Sequence, residues 1–520
     1  MRGINSLLTY SRIRKYLSRF IQCRHRSTAV EVAKNRGWEP VIGLEIHAQI
    51  TSKSKLFSTA GTEYKAPVNS QVAFMDSALP GTLPVLNQRC VEAGVLTALA
   101  LKSDINYESY FDRKHYFYAD MPSGYQITQQ RRPLAKSGHV TYLLDKTQRQ
   151  ARIIQLQLEQ DSGKSLHDTN QHISLIDLNR AGVGLMEIVT EPDFTSGTDA
   201  RAFVKELILI LTLLETCRCK MEEGNLRVDA SISLHKPNTP LGTRCEVKNL
   251  NSLGFLEKAI EYEINRQLDV LTEGGEVENE TRMFLSDEGR TVPMRDKEKV
   301  HDYRFMPEPN LLPLRLYTNS TLPSEGDSSQ NINVDLLKEW LPVDPMERRN
   351  RLVHDFQLSM LHANQIVNMP GYWELFYNLK KASERSTKHI TSVLLKELAE
   401  VLKFSASYEL NSEIPIKLEQ LGDVIDLLLK ECIINSELDV VKAIATRGLR
   451  LSRDATEMEA AVDEVLKESR DLEDKIKKTS GKKQQRYLSA VVKEVMRKSN
   501  NKYDAVLLLD IVTERFKDDK

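Results

Sequence analysis

A run of strict alternation at residues 41–50, VIGLEIHAQI, constrains what this chain can build more than any other stretch. Neighbouring side chains of a strand point to opposite faces, so Ile42, Leu44, Ile46, Ala48 and Ile50 share one face while Gly43, Glu45, His47 and Gln49 share the other. A carboxylate and an imidazole thus stand together on a polar face, about 6.6 Å apart along the strand. That spacing lets them serve two neighbouring cations or bracket one substrate.

Three further segments repeat the pattern. In RIIQLQLEQD, Ile154, Leu156 and Leu158 oppose Gln155, Gln157 and Glu159; in NLRVDASISL, Leu226, Val228, Ala230, Ile232 and Leu234 oppose Arg227, Asp229, Ser231 and Ser233. In TRCEVKN, Cys245 and Val247 oppose Arg244, Glu246 and Lys248. Strands with one greasy and one acidic face predict an antiparallel sheet packed on a core, its polar face open to a substrate. Glu187 in LMEIVTEPD differs, because Leu185 and Val189 share its strand face. This predicts a strand buried on both sides or a bulge beside Glu187. Glu45, Glu159, Glu187, Asp229 and Glu246 with His47 make an oxygen-rich set that suits magnesium or manganese rather than zinc. The same acids also read as exposed strand residues paired with Arg227, Arg244 and Lys248, and spacing alone does not separate the two readings.

A length of 520 residues exceeds what one core usually serves, and 41% hydrophobic with 28% charged residues describes an ordinary globular chain. No apolar run reaches 18 residues, which argues against a membrane span. Residues 1–30 carry Arg2, Arg12, Arg14, Lys15, Arg19, Arg24 and Arg26, several serines, and no acid before Glu31. Leu7, Leu8, Tyr16, Leu17 and Phe20 give this leader an apolar stripe, the composition of a mitochondrial transit peptide. A basic arm that binds nucleic acid is the alternative. Cys23, Cys90, Cys217, Cys219, Cys245 and Cys432 form neither a CxxC pair nor a disulfide framework and read as reduced thiols.

The expected fold class is α+β: a mainly antiparallel-sheet catalytic domain at 38–316, a polar, turn-rich linker at 317–331, an all-α middle domain at 332–449 and a small helical tail domain at 450–520. In the sheet domain, Phe203, Leu207, Ile210, Leu211 and Leu214 predict one core-facing helix. Stripes at Leu394, Leu398, Val401 and Leu402 and at Val424, Leu427, Leu428 and Cys432 predict a bundle. In the tail, Asp454 is a plausible N-cap before Met458, Val462 and Val465, and helices around Leu488 and Leu507 complete a three-helix unit. Nine cations lie between Lys475 and Lys498, opposed within that stretch by Glu494 and otherwise readable as a solvated face.

The segment FDRKHYFYADMPSGYQITQ at 111–129 sets Arg113, Lys114 and His115 beside Tyr116, Phe117 and Tyr118. Such a stretch can hold phosphates and stack a base, or the aromatics can simply fill a core. No P-loop, dinucleotide-binding fingerprint or G-x-S-x-G elbow occurs. Residue types alone therefore point to metal-assisted work on phosphates, by phosphoryl transfer or hydrolysis.

VIGLEIHAQI, DRKHYFYADMPSGYQIT, LNRAGVGLMEIVTEPD, MEEGNLRVDASIS, EVKNLNS and VHDYRFMPEPNLLPL, in this order, closely resemble the GatB/GatE family, the B subunits of aspartyl/glutamyl-tRNA amidotransferases. The resemblance implies a mitochondrial matrix enzyme that corrects Glu-tRNA(Gln): ATP with magnesium phosphorylates the glutamyl side chain and ammonia displaces the phosphate. It further implies two partners, an amidase (the A subunit) that supplies ammonia and a small C subunit. Carried over by motif position, the cation ligands are Glu45, His47, Glu159, Glu187, Asp229 and Glu246, with Glu45, His47 and Lys114 catalytic and Lys114, Arg227 and Lys248 toward ATP or substrate charge. Lys482, Lys483 and Arg486 in the tail are implied to touch tRNA. Two departures stand out: many bacterial relatives read His-Met-Glu-Glu-Asp where this chain has Gln157-Leu158-Glu159-Gln160-Asp161, and the tail has Lys493-Glu494-Val495-Met496 in place of a Gly-Gln-hydrophobic-Met run. The competing functions are a tRNA-binding scaffold without a kinase site and a metal-dependent nuclease or phosphatase.

Overall fold

The computed structural model describes residues 28–168, 170–294, 304–323, 331–369, 371–382, 386–398, 455–479, 482–499, 503 and 505–516. The leader cations, Val401, Leu402, the stripe from Val424 to Cys432, Asp454 and the start of VHDYRFMPEP lie outside the described residues. The chain divides into two compact units, the first ending at Asp344 and the second beginning at Pro345.

In the first unit, α1 (Ala29–Asn35) leads into β1 (Glu39–Gln49), followed by a long loop and α2 (Gln88–Ala100). Then come β2 (Asp104–Ile105), β3 (Glu108–Ser109), β4 (Asp112–His115), β5 (Tyr125–Thr128), β6 (Ala135–Leu144), β7 (Thr147–Gln160), β8 (Lys164–Asp168), β9 (Ile173–Asp177) and β10 (Gly184–Thr190). Next are α3 (Gly197–Leu213), β11 (Leu226–His235), β12 (Cys245–Leu250), α4 (Leu253–Thr272), β13 (Thr281–Leu285), β14 (Arg290–Pro293), β15 (Met306–Pro307), β16 (Leu314–Arg315) and α5 (Val334–Glu339).

Nine strands form one sheet in the order β14-β13-β12-β11-β1-β10-β7-β6-β2, antiparallel except for the β12–β13 pair. Strand β1 takes the central position and alternates as its sequence requires: Ile42, Leu44, Ile46 and Ala48 are buried, and the residues between them are half-exposed. Burying each such aliphatic side chain is worth about 1.5–3 kcal/mol, which pins the register and with it every acid on the opposite face. Helices α2, α3 and α4 bury their apolar stripes in the same core. Each begins at a side-chain cap: Asn87 accepts from Arg89 N, Ser196 from Asp199 N and Ser252 from Phe255 N. Gly94 of α2 permits close approach, because a Cβ there would sit 2.6 Å from Leu134 Cδ2. The helix expected from Phe203, Leu207, Ile210 and Leu211 is α3, and all four are buried.

Strand β10 is buried on both faces over most of its length, which decides between the two expectations for Glu187, and the register shift lies further on, between Val189 and Thr190. At the other end of the unit, Tyr317 bridges to Asn333, and Ile332, Val334 and Leu337 enter the sheet core. Helix α5 thus packs with the sheet unit, although its sequence lies in the stretch assigned to the all-α region. Likewise α1 starts inside the 1–30 stretch, capped by Thr28, with Ala29 and Ala33 in the core.

The second unit is helical among the described residues: α6 (Pro345–His354), α7 (Met360–Asn368), α8 (Tyr372–Ala382), α9 (Thr387–Ser392) with a π-helical turn at Val393–Leu398, then α10 (Ala455–Glu468), α11 (Arg470–Lys477), α12 (Lys482–Lys498) and α13 (Ala505–Arg515). The tail contains α11 in addition to the three helices expected. Its octet RDLEDKIK has only Leu472 and Ile476 as apolar residues, too few for a stripe to show in sequence. No helix among the described residues is long and apolar enough to cross a membrane.

Candidate active site

Register brings the acids together. On β1, Glu45 lies opposite Asp229 of β11, and His47 lies opposite Glu187 of β10 on one side and Arg227 of β11 on the other. Glu159 of β7 is opposite Leu185, two residue pairs from Glu187 and on the same face, and Glu246 of β12 is opposite Ser231. Five carboxylates from five strands therefore occupy the polar face around one imidazole.

His47 Nε2 lies 3.8 Å from Glu45 Oε1 and 3.7 Å from Glu159 Oε1. Ligand-type atoms of Glu45, His47 and Glu187 all lie within 4.8 Å of one another, a grouping able to hold a metal ion. Burial and the charge of Glu159 push the Glu187 carboxyl well above the usual carboxylate range, and the hydrogen bond it shares with Glu45 acts in the same direction. Burial alone would also raise Glu45, but that hydrogen bond, with the charges of His47, Lys114 and Lys248, holds it down at about 2. Glu246 is raised, chiefly by burial and then by Asp229 and Glu45, against the opposing pull of Lys248. Crowded carboxylates of this kind, one held low and another pushed high for lack of countercharge, mark a place where a cation would be welcome.

The basic residues divide. Lys114 stands on β4, close enough for its charge to lower Glu45. Its strand is fixed by Arg113, whose guanidinium grips Glu308 at 2.6 and 3.0 Å and stacks 4.2 Å from the centre of the Tyr125 ring. Lys248 Nζ is 3.6 Å from Glu246 Oε2. Arg227 turns toward the end of β7 and pairs with Asp161 at 3.0 Å, where Arg180 also approaches at 3.5 Å. Lys483 and Arg486 are exposed on α12, in the other unit; the side chain of Lys482 lies outside the described residues.

Two residues that the sequence pattern did not nominate hold the acids in place. Gln157 Nε2 donates to Glu187 Oε2 at 2.6 Å and to Thr128 Oγ1 at 3.2 Å; the Thr128 hydroxyl donates to Glu159 Oε2 at 3.2 Å. Thr128 belongs to β5, which crosses β7 through further buried amides: Gln126 donates to Gln160 O, and Leu158 N donates to Gln129 Oε1 at 3.1 Å. The usable signal was the departure at Gln157, on the same strand face as Glu159.

Residues 40–321 match the family profile of the GatB/GatE catalytic domain. The B subunit of the mitochondrial glutamyl-tRNA(Gln) amidotransferase of Homo sapiens is 52% identical over 398 residues, 75% of this chain and 71% of that protein. Its Aedes aegypti namesake is 44% identical over 504 residues, 92% of this chain and 93% of that protein. The B subunit of the aspartyl/glutamyl-tRNA(Asn/Gln) amidotransferase of Azorhizobium caulinodans is 41% identical over 443 residues, 82% of this chain and 86% of that protein. With more than half of its length matched to that profile and its acid-lined strands inside the match, this chain belongs to the GatB/GatE family.

Proposed function

We propose that the chain is the B subunit of a glutamyl-tRNA(Gln) amidotransferase, a carbon–nitrogen ligase that converts Glu-tRNA(Gln) to Gln-tRNA(Gln) with glutamine as the amide donor. The names of its relatives support the substrate, and the acid cluster around His47 supports the chemistry. A carboxylate has no leaving group, so one oxygen of the glutamyl side chain must first become one. ATP supplies the phosphoryl group, and ammonia then displaces phosphate to leave the amide.

In this reading Glu45, His47, Glu159, Glu187, Asp229 and Glu246 hold divalent cations, magnesium in the cell, which offset the charge that spreads over the transferring phosphoryl oxygens. Oxygen donors with a single imidazole fit that ion. Lys114, beside Glu45, meets the ATP phosphates. Lys248 stands at the substrate edge of the same face, while Arg227 serves more to position Asp161 and to balance the acids than to meet ATP. Ammonia comes from an amidase, the A subunit, with a small C subunit joining the two. The relatives named mitochondrial support work in mitochondrial translation, in the matrix, after removal of the basic leader. The tail domain, 450–520, contacts the tRNA body through Lys482, Lys483 and Arg486.

The carrying observation is the Glu45–His47–Glu187 grouping. Hydroxylamine added to the purified assembly with ATP and Glu-tRNA(Gln), without an ammonia source, should trap the acyl phosphate as a hydroxamate. A scaffold without kinase activity gives no ATP-dependent γ-hydroxamate beyond the α-hydroxamate that the ester itself yields, and a nuclease or phosphatase releases phosphate or nucleotides from the tRNA without ATP.

A further inference from the structure

Helix α1 fixes where the sheet unit begins. Thr28 closes its first turn as a capping box: its hydroxyl accepts from Glu31 N at 3.3 Å, its own N donates to Glu31 Oε2 at 3.0 Å, and its carbonyl accepts from Val32 N at 3.1 Å. The next residue already belongs to the core. Ala29 is buried and its N donates to Glu261 Oε2 at 3.1 Å, while Oε1 of the same carboxylate accepts from Gly197 N at 3.1 Å. One side chain of α4 thus fastens the first turns of both α1 and α3. Further along, Ala33 is buried, Trp38 N donates to Ala33 O at 2.9 Å, and Arg36 pairs with Asp269 of α4 at 3.5 Å.

The basic leader ends at the same place. Arg26 is its last cation, the next being Lys34 within α1, and no acid precedes Glu31. Thr28, two residues beyond Arg26, is exposed. How much of a chain end can be lost depends on the burial and hydrogen bonding of the backbone removed. A cut before Ala29, or anywhere later in α1, strips the cap from Glu31 N and Val32 N and loosens a buried alanine. A cut before Thr28 breaks none of these bonds.

We propose that the leader is removed by hydrolysis of the Ser27–Thr28 bond, by a protease whose acidic cleft reads Arg26. Water adds at the Ser27 carbonyl carbon as the C–N bond breaks, which leaves a carboxylate on Ser27 and an α-ammonium on Thr28. That ammonium forms at the atom already 3.0 Å from Glu31 Oε2. The capping bond becomes charge-assisted, and Glu31 offsets a positive charge that the start of a helix otherwise disfavours. A cut one bond earlier would place the new charge on Ser27, a residue away from this partner. The leader is then 1–27 rather than 1–30. The assignment rests on the mitochondrial reading above, since it needs a protease that strips cationic leaders.

The full-length chain, made by translation in vitro, tests this in two arms: incubation with isolated mitochondria, and incubation with purified matrix processing peptidase. N-terminal sequencing of each product should read Thr28 first. Arg26→Ala should slow the cut by the peptidase about tenfold or more, the worth of one charge-assisted contact, and Arg26→Lys should recover part of the rate. Arg19→Ala should change it little. All three substitutions lie in the segment that is removed, so the product is the same protein in each case. A first residue other than Thr28, residues 1–27 retained in the imported product, or an unchanged rate for Arg26→Ala would each overturn the proposal. The two arms also separate it from the mitochondrial reading. Cutting before Thr28 by the peptidase without import rejects the location and keeps the boundary; import with another first residue rejects the boundary and keeps the location; neither import nor cutting rejects both.

Discussion

Gln157 Nε2 sits 2.6 Å from Glu187 Oε2, a strand away, and the same amide reaches Thr128, whose hydroxyl ties down Glu159 Oε2. One oxygen of each carboxylate is thereby committed to a neutral donor. The other Glu159 oxygen faces His47. Thr128→Val removes the hydroxyl at nearly constant shape and should weaken Mn²⁺ or Mg²⁺ binding by about tenfold, the usual scale for a partner that orients a ligand. Thr128→Ser should restore it. Calorimetric titration of the cation decides, and equal affinity in the Val and Ser variants would reduce Thr128 to a packing residue.

Glu45 and His47 carry the strongest expectation for the reaction. Glu45 is held low while Glu187 beside it is pushed high, and Glu45→Gln removes the Glu45 charge while leaving the buried face of β1 untouched. Hydroxamate formation should fall by about 10²–10³-fold or more, the scale of losing one preorganised electrostatic contact. His47→Ala should do the same. Thermal melting within a few degrees of the unmodified protein would show that chemistry rather than folding was lost, and full activity in either variant would remove the pair from the mechanism.

The central sheet was readable because β1, β11 and β12 each have a buried and a polar face, so period-two alternation survives in the sequence; on β7 it fails at Ile154, expected in the core with Leu156 and Leu158 but exposed, with Ile153 buried instead where the register with β10 shifts. Glu187 was ambiguous because β10 is buried on both faces, which abolishes alternation. Thr128 could not be found this way. Its role depends on β5 crossing β7, a tertiary contact that leaves no local signature in YQIT. Arg227 was legible as a cation on the right face but not as the partner of Asp161, because strand patterning fixes a side and not a long side chain's reach.

Acid sensitivity should trace in part to Glu263, fully buried on α4. Arg266 grips it at 2.6 and 2.9 Å, Gln267 and Thr291 each donate at 2.9 Å, and Arg282 lies at 3.4 Å. Burial would raise this carboxyl, but the Arg266 bonds and charge, with the neutral donors, bring it below its ordinary value. A depressed folded value contributes stability that is fully present above the unfolded carboxylate range and is lost as pH falls through the folded value. Glu263→Gln should therefore cost about 1–3 kcal/mol at neutral pH, because the buried Arg282 and the half-buried Arg266 lose this partner and keep only Glu280. That gap should narrow in denaturant titrations carried down through the carboxylate range; a gap independent of pH would refute the assignment.

Salt dependence provides the last test, on the tail helices. Much of the basic run is already neutralised within the tail: Lys475 pairs with Asp471 at 2.5 Å, Lys477 with Glu473 at 3.1 Å, Arg497 with Glu494 at 2.6 Å, and Lys498 with Glu468. Lys483 and Arg486 differ. Both are exposed near the start of α12, away from its buried residues Leu488, Val491, Val492 and Val495, and neither forms an ion pair among the described residues. Only cations of this sort release counterions when they meet phosphate, so Lys483→Glu with Arg486→Glu should weaken tRNA binding and flatten its log–log salt slope by about 0.9 for each phosphate no longer neutralised. Lys475→Glu, whose charge is already paired, should change the slope far less. An identical slope for the double variant and the unmodified assembly would take this helix face out of the tRNA interface.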